Sequence, residues 1–385
     1  MNLMIEQIND IPNMIKQSVA EIDDSVRRTL DHEMCLSLKR LFITGCGDSH
    51  HAALGSEMAI EKISGIPVEP VTALQFSRYS AGFIPQLGPG TNIVIGISVS
   101  GSVVRTAEAL KMGQEFGATT IALTANQDSL VGSSAQHVLL AKAPQLDQPQ
   151  DAAIPGVRTF HINQLALILT AIRIGEVRGN ITTPESDQLR RELVELAEAA
   201  QITIDKSNSA AKELVSSWAD ADEFVFAGAG PNFATALFSA AKVLEASGDS
   251  ALGQDLEEWA HLQYFVKKAD IPTIFISSGD QDLSRFLELA PAAKQIGRRT
   301  AVISPELEQL KGSNINHLPI AKTREMFSHI IAPIPGELLA AYRSDLIKEP
   351  FFRNFSSGRM SDEGDGASRI RSSQSWDKWE GEKSA

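Results

Sequence analysis

The sequence predicts an α/β fold built from two doubly wound parallel sheets in tandem. Three observations lead there. First, runs that are apolar throughout, such as NIVIGIS at 92–98, alternate with helical segments of roughly ten to fifteen residues, the pattern of a parallel sheet covered on both faces. Second, the pattern occurs twice. LFITGCGDS at 41–49 and FVFAGAGPN at 224–232 are each a strand ending in G-x-G before a helix, and IVIGISVSGS at 93–102 is matched by TIFISSGDQ at 273–281. Third, the stretch between them, 162–182 and then 188–218, has the 3.6-residue apolar spacing of helices and no strand signal.

Taken in order, the first half reads as strand KRLFITGCG, helix AALGSEMAIEKISG, strands PVEPVTA and NIVIGIS, helix RTAEALKMGQEFG, strand TTIALTA and a short strand HVLLAKA. The second reads as strand DEFVFAGAG, helix FATALFSAAKVLEAS, strand IPTIFISSG, helix DLSRFLELAPAAKQIG and strand RRTAVIS. The expected organisation is a first domain over 1–185 with an amino-terminal helix, a helical linker over 186–215, a second domain over 216–349 and a tail over 350–385. The tail is rich in Gly, Ser and charge, a composition of partly disordered ends.

The bulk numbers exclude several classes. With 385 residues, 43% hydrophobic and 22% charged, the chain has ordinary globular composition. A formal net charge of −13 argues against binding a nucleic-acid backbone. Two cysteines, Cys35 and Cys46, rule out a disulfide framework or a cysteine-rich metal site, and Cys46 reads as a small buried residue at a strand end. The amino end has no basic and apolar leader, and no apolar run reaches 18 residues, so a cytoplasmic, non-membrane chain is expected. Glu257 and Glu258 near His261 have a faint metal-ligand spacing, but without a second cluster neither a metal nor a cofactor is expected.

The turn after NIVIGI carries the first functional signal. Ser98, Ser100, Gly101 and Ser102 stand between a buried strand and a helix N-terminus, where unpaired N–H groups and the positive dipole end face outward. G-x-G-x-x-G is absent from this turn, so a compact terminal phosphate fits better than a dinucleotide. Arg105, one turn into the helix, reads as a solvated side chain.

With these motifs the chain resembles the sugar isomerase (SIS) family in tandem, closest in pattern to the isomerase half of glucosamine-6-phosphate synthase and related phosphosugar deaminases and deglycases. GCGDSHHAAL at 45–54 is similar to the family's G-x-G-T-S turn, with Gly47 and Ser49 kept and Asp48 in place of Thr. SVSGS at 98–102 resembles S-x-S-G-E-T, with Ser102 for Glu and Val103 for Thr. GVRTFHINQLAL at 156–167 is like the segment that closes over the sugar, which implies substrate contacts by Val157 and Arg158. GAGPNFATALFSAAKVLE resembles the long helix ending in a catalytic Glu, here Glu245, and EEWAH places His261 as the ring-opening histidine sixteen residues on. MIEQINDIPNMI resembles the family's lead-in, and EPFFRNFSSGR its tail, where the synthase lysine falls at Ser357.

The resemblance implies an enzyme acting on a phosphorylated amino sugar or sugar amine, with proton transfer between C1 and C2. Ser49, Ser98, Ser100, Gly101 and Ser102 would anchor phosphate, with Gly47, Asp48, Val157, Arg158 and Ser357 around the sugar. Glu245 would carry the proton, its pKa raised by an apolar helix between Leu244 and Ala246, and His261 would donate to the ring oxygen. His50 and His51, beside the first turn, are further candidates for substrate contact. A homodimer with His261 reaching the neighbour's site is implied as well. No glutaminase portion is recognised, so glutamine-driven transfer is not expected of this chain. An aldose–ketose isomerase and a non-catalytic phosphosugar sensor are the alternatives.

Overall fold

A computed structural model describes residues 2–149 and 153–355. Ten strands form two separate five-stranded sheets, all of whose pairings are parallel. The first contains β1 (Arg40–Gly45), β2 (Val68–Thr72), β3 (Asn92–Ile97), β4 (Thr119–Thr124) and β5 (His137–Leu140). The second contains β6 (Glu223–Gly228), β7 (Ser250–Asp255), β8 (Pro272–Ile276), β9 (Arg299–Ser304) and β10 (Asn316–Pro319). Their orders are β2-β1-β3-β4-β5 and β10-β9-β8-β6-β7, which is one topology read from opposite edges. This is the repeated doubly wound arrangement that the sequence predicts.

The second half differs from its sequence reading in having five strands where three are legible. The additions, β7 (SALGQD) and β10 (NHLP), are edge strands with mostly exposed or half-exposed residues. They lack the apolar run that identifies a buried strand. Gly253 of β7 is demanded by packing, since a Cβ there would stand 2.4 Å from Leu237 Cα.

The helices used below are α1 (Leu3–Thr29), α2 (Asp48–Ser64), α3 (Val104–Glu115), α4 (Arg158–Arg178), α5 (Thr183–Ser217), α6 (Pro231–Ala246), α7 (Leu256–Leu262), α8 (Leu283–Gln295) and α9 (Pro333–Ile347). Asn2 caps α1 by accepting from the N–H groups of Met4 and Ile5, and α5 opens with a reciprocal capping box between Thr182 and Glu185. Such caps satisfy N–H groups that have no partner within the helix.

One apolar core runs from Met4 to Ala341 and includes residues of both sheets. Helix α4 lies at its centre and is buried along most of its length. It packs on α1 and α2, while α2 also packs on α6 and so joins the two halves. Phe160 of α4 stacks on Phe238 of α6 with ring centroids 3.7 Å apart. Polar groups inside this layer are paired across it. His161 Nε2 lies 3.1 Å from Glu337 Oε1, and the Gln164 side chain donates to the His329 carbonyl at 2.8 Å. Each fully buried Leu or Ile in the layer contributes about 1.5–3 kcal/mol. The halves are therefore held by a shared core in addition to their covalent link.

Candidate active site

In the first sheet the connections leave β1 and β3 in opposite directions, towards β2 on one side and β4 on the other. Ligand crevices of open α/β sheets form at such switch points, outside the carboxyl ends of the strands. Gly45 is in register with Ile97, which brings the segments 46–49 and 98–102 side by side at this end.

Gly47 turns the chain into α2 with φ 56° and ψ −127°, and a Cβ there would meet nothing within 4 Å, so its backbone borders open space. Ser49 follows in the first turn of α2, its N–H donating to the Cys46 carbonyl at 3.3 Å. Gly101 has φ 69°, and a Cβ there would lie 2.0 Å from Ser129 Oγ. Only glycine fits that position. Ser98 is 2% exposed, and its hydroxyl has no hydrogen-bond partner among the described residues. The exposed hydroxyls of Ser100 and Ser102 are 2.8 Å apart, and the Ser102 N–H donates to Ser100 Oγ at 3.3 Å. No side chain caps α3, which leaves its positive end available to an anion.

Arg105 departs from its solvated reading. Its guanidinium donates to both oxygens of Glu108 at 2.7 Å, and Arg78 reaches the same carboxylate at 3.5 Å. Glu108 is 2% exposed, so the two cations neutralise a buried carboxylate one turn beyond the hydroxyl turn.

Beside Asp48 stands a group that the sequence reading missed. Lys242 of α6 is fully buried, and its ammonium donates to Asp48 Oδ2 at 2.6 Å, to Glu245 and to the Gly156 carbonyl at 3.4 Å. The ammonium also lies 4.9 Å from the centroid of the Phe238 ring. Burial alone would pull its pKa down, but the Asp48 and Glu245 carboxylates outweigh that and hold it above the ordinary lysine value. Lys242 therefore joins Asp48 of the first half to Glu245 of the second. This corrects the picture of Glu245 in purely apolar surroundings: its side chain is 31% exposed and rests on an ammonium. A lysine three residues before that Glu, in the otherwise apolar run FATALFSAAKVLEA, was the available signal.

Other expectations are also corrected. Val157 is fully buried in the core and cannot touch a substrate. Arg158 is 8% exposed, donates to the Pro144 carbonyl at 2.7 Å and forms an ion pair with Asp10 at 2.7 Å. Cys46 is exposed at the mouth of the crevice instead of buried, although crowding by neighbouring atoms still pushes its thiol pKa up. His261 lies on α7, 67% exposed, with its ring 3.2 Å from Glu257. The carboxylate beside its ring is thus Glu257 and not Asp48 or Glu245. Ser357 lies outside the described residues.

Residues 36–156, which hold the first sheet and the hydroxyl turn, match the model of the SIS domain. The chain contains a SIS domain. Outside that match, the second sheet repeats the topology of the SIS domain strand for strand. An isomerizing glutamine–fructose-6-phosphate aminotransferase of Gloeobacter violaceus is 27% identical over 347 residues, covering 88% of this chain and 55% of the relative. The chain therefore spans about half the length of that curated relative. Among solved structures, the C-terminal domain of glucosamine-fructose-6-phosphate aminotransferase from Francisella tularensis has a TM-score of 0.76 at 16% identity, covering 89% of this chain and 95% of that one. The tagatose-6-phosphate ketose/aldose isomerase of Escherichia coli has a TM-score of 0.71 at 16% identity, covering 91% and 94%. At such identities the likeness concerns the fold. Among the described residues no helix is long and apolar enough to cross a membrane.

Proposed function

We propose that this SIS protein is an enzyme of the phosphosugar isomerase type, acting on a phosphorylated amino sugar or sugar amine by moving a proton between C1 and C2. One observation carries the reading: Lys242 ties Glu245 of the second half to Asp48, beside the open hydroxyl turn of the first. In this reading the anion anchor and the carboxylate base are linked through Asp48 and Lys242.

In this reading the phosphate takes the Ser98, Ser100 and Ser49 hydroxyls and the N–H groups of the 100–102 turn. Binding of that remote group places the reacting carbons. Glu245 removes the proton from one carbon and returns it to the other. The buried ammonium of Lys242, paired with Glu245, holds that carboxylate in place before the reaction. His261 would open the ring from a second copy of the chain. An apolar patch beside it supports a dimer: Leu262, Tyr264, Phe265 and Val266 are 55, 50, 72 and 39% exposed. The same reading takes 1–185 and 216–349 as the two SIS units.

The test is a screen of phosphorylated and free sugar amines for released ammonia or amino acid, and for deuterium entering C1 or C2 from solvent. Turnover of a phosphorylated amine with deuterium incorporation supports the proposal. Interconversion of neutral aldose and ketose phosphates alone would make it an isomerase, and tight binding without turnover would make it a sensor.

A further inference from the structure

Lysine is almost never fully buried unless it is paired, and the ammonium of Lys242 is paired from three places in the chain. It meets Asp48 Oδ2 of α2 at 2.6 Å, the Gly156 carbonyl ahead of α4 at 3.4 Å, and Glu245 on its own helix. The residues one turn away from these groups meet as well. Ala52 stands four residues after Asp48, Phe160 four after Gly156 as α4 begins, and Phe238 four before Lys242 on α6. These three buried side chains form a small apolar cluster of their own, apart from the main core.

The cluster also reaches the ammonium directly. Lys242 Nζ lies over the Phe238 ring, 4.9 Å from its centroid, an attraction that strengthens when the cation is removed from water. Phe160 lies flat against that ring, with centroids 3.7 Å apart and planes within 8°, and so fixes its plane from the first half of the chain. Lysine carries its charge on a flexible four-carbon stem with rotatable donors. Acceptors on separate segments can therefore hold the head in one place only if the segments are themselves fixed. The cluster fixes them, because Ala52, Phe160 and Phe238 come from the segments that bear Asp48, Gly156 and Lys242.

We propose that Ala52, Phe160 and Phe238 are positioning residues that set the Lys242 ammonium and, through it, the carboxylate of Glu245. This rests on the reading of Glu245 as the proton carrier and adds to it the residues that fix its pose. A base displaced from the carbon it serves loses rate, while a phosphate bound elsewhere keeps its affinity.

The experiment replaces Phe238 and Phe160 by leucine, one at a time in the full chain, so that apolar fill is kept and a ring is lost. Phe286→Leu, in a separate apolar cluster on the second sheet, is the control for loss of a buried ring as such. The first readout is acetylation of Lys242 by brief treatment of the folded protein with acetic anhydride, measured by mass spectrometry. Phe238→Leu and Phe160→Leu should each raise it about fivefold or more by loosening the ammonium, and Phe286→Leu should leave it within about twofold. The second readout is solvent deuterium entering C1 or C2 of glucosamine 6-phosphate or fructose 6-phosphate. Both variants should lose about tenfold or more in kcat with KM held within about threefold, the split of a misplaced base. Unchanged acetylation in both variants overturns the proposal, and so does raised acetylation with kcat retained. Equal effects of Phe286→Leu on both readouts reduce the cluster to ordinary core and overturn it too. If the unmodified chain exchanges deuterium into neither sugar, the reading of Glu245 fails, and acetylation alone decides whether the cluster positions Lys242.

Discussion

The two sheets each place a Ser-Gly turn after their middle strand, β3 or β8, and the glycine of each turn has positive φ, 69° at Gly101 and 74° at Gly279. The contents of the two turns are opposite. After β3 the Ser98 hydroxyl is buried without a partner among the described residues, and those of Ser100 and Ser102 face solvent. After β8 the donors are consumed by the chain itself. Ser277 donates to Asp282 at 2.7 Å, Ser278 Oγ and the Gln281 N–H both donate to Glu325 at 3.3 Å, and the Gln281 side chain donates to the same carboxylate at 2.6 Å. Asp280 adds a third carboxylate, held by Lys322 at 2.7 Å. An anion arriving at the second turn would meet Glu325 in place and two further negative groups. Repetition preserved the frame of the turn, and the occupancy of its donors separates the proposed anion site from a structural corner.

The largest effect expected from this comparison lies in turnover. Glu245→Gln should lower kcat by about 10²-fold or more with substrate affinity retained, the loss typical of a removed general base. Glu325→Gln, at the second turn, should leave kcat within about twofold, since it lies outside the proposed acid–base chemistry. Steady-state kinetics on a confirmed substrate decides, and equal losses in the two variants would erase the distinction.

Next in size is the lysine between the halves. Lys242→Met leaves two carboxylates facing each other at the crevice, and breaking a buried ion pair costs about 3–5 kcal/mol. Asp48 and Glu245 are 24 and 31% exposed, so solvent takes up part of that penalty and a loss near about 3 kcal/mol is expected in urea unfolding.

The serines give the most direct contrast. Ser98→Ala should weaken phosphosugar binding by about 1–3 kcal/mol, the value of a charge-assisted hydrogen bond, while the thermal midpoint stays unchanged because no internal bond is lost. Ser277→Ala should do the reverse, keeping affinity and losing about 1 kcal/mol of stability with its bond to Asp282. Titration should also find one phosphosugar site per chain.

The smallest effect is in pH dependence. Burial, helped by the charges of Glu325 and Asp280 and opposed by the Ser277 hydrogen bond, pushes the Asp282 carboxyl up to about 6 from an ordinary 3.8. The folded state thus binds this proton more tightly than the unfolded chain does. The stabilisation is fully present below pH of about 4 and is lost as pH rises through about 6. Allowing for partial exposure, the change is about 1–2 kcal/mol. Asp282→Asn should remove that decline when its unfolding free energy is compared with the unmodified chain from pH 4 to pH 7, and an identical slope in both would break the assignment.

Much of this contrast was legible before folding, because it depends on local pattern. The strands β1, β3, β4, β6, β8 and β9 are apolar runs long enough to read, and IVIGISVSGS shows its hydroxyl turn directly. Strands β7 and β10 were not legible, since an edge strand needs no continuous apolar run when one side faces water. The closure of the second turn was hidden too, because Glu325 lies 47 residues from Ser278.

By itself the sequence determined the tandem doubly wound fold, the position of the hydroxyl turn proposed to hold an anion and the helix that carries Glu245. Periodicity and turn chemistry act over a few residues and are written in the order of the chain. The tertiary structure decided which charges meet. Asp48 and Lys242 are 194 residues apart and come together only because α2 of the first half packs on α6 of the second. The same fold turned Arg158 onto Asp10 of the first helix. Side-chain pairing at that distance follows from the shape of the shared core, which no local window of the sequence contains.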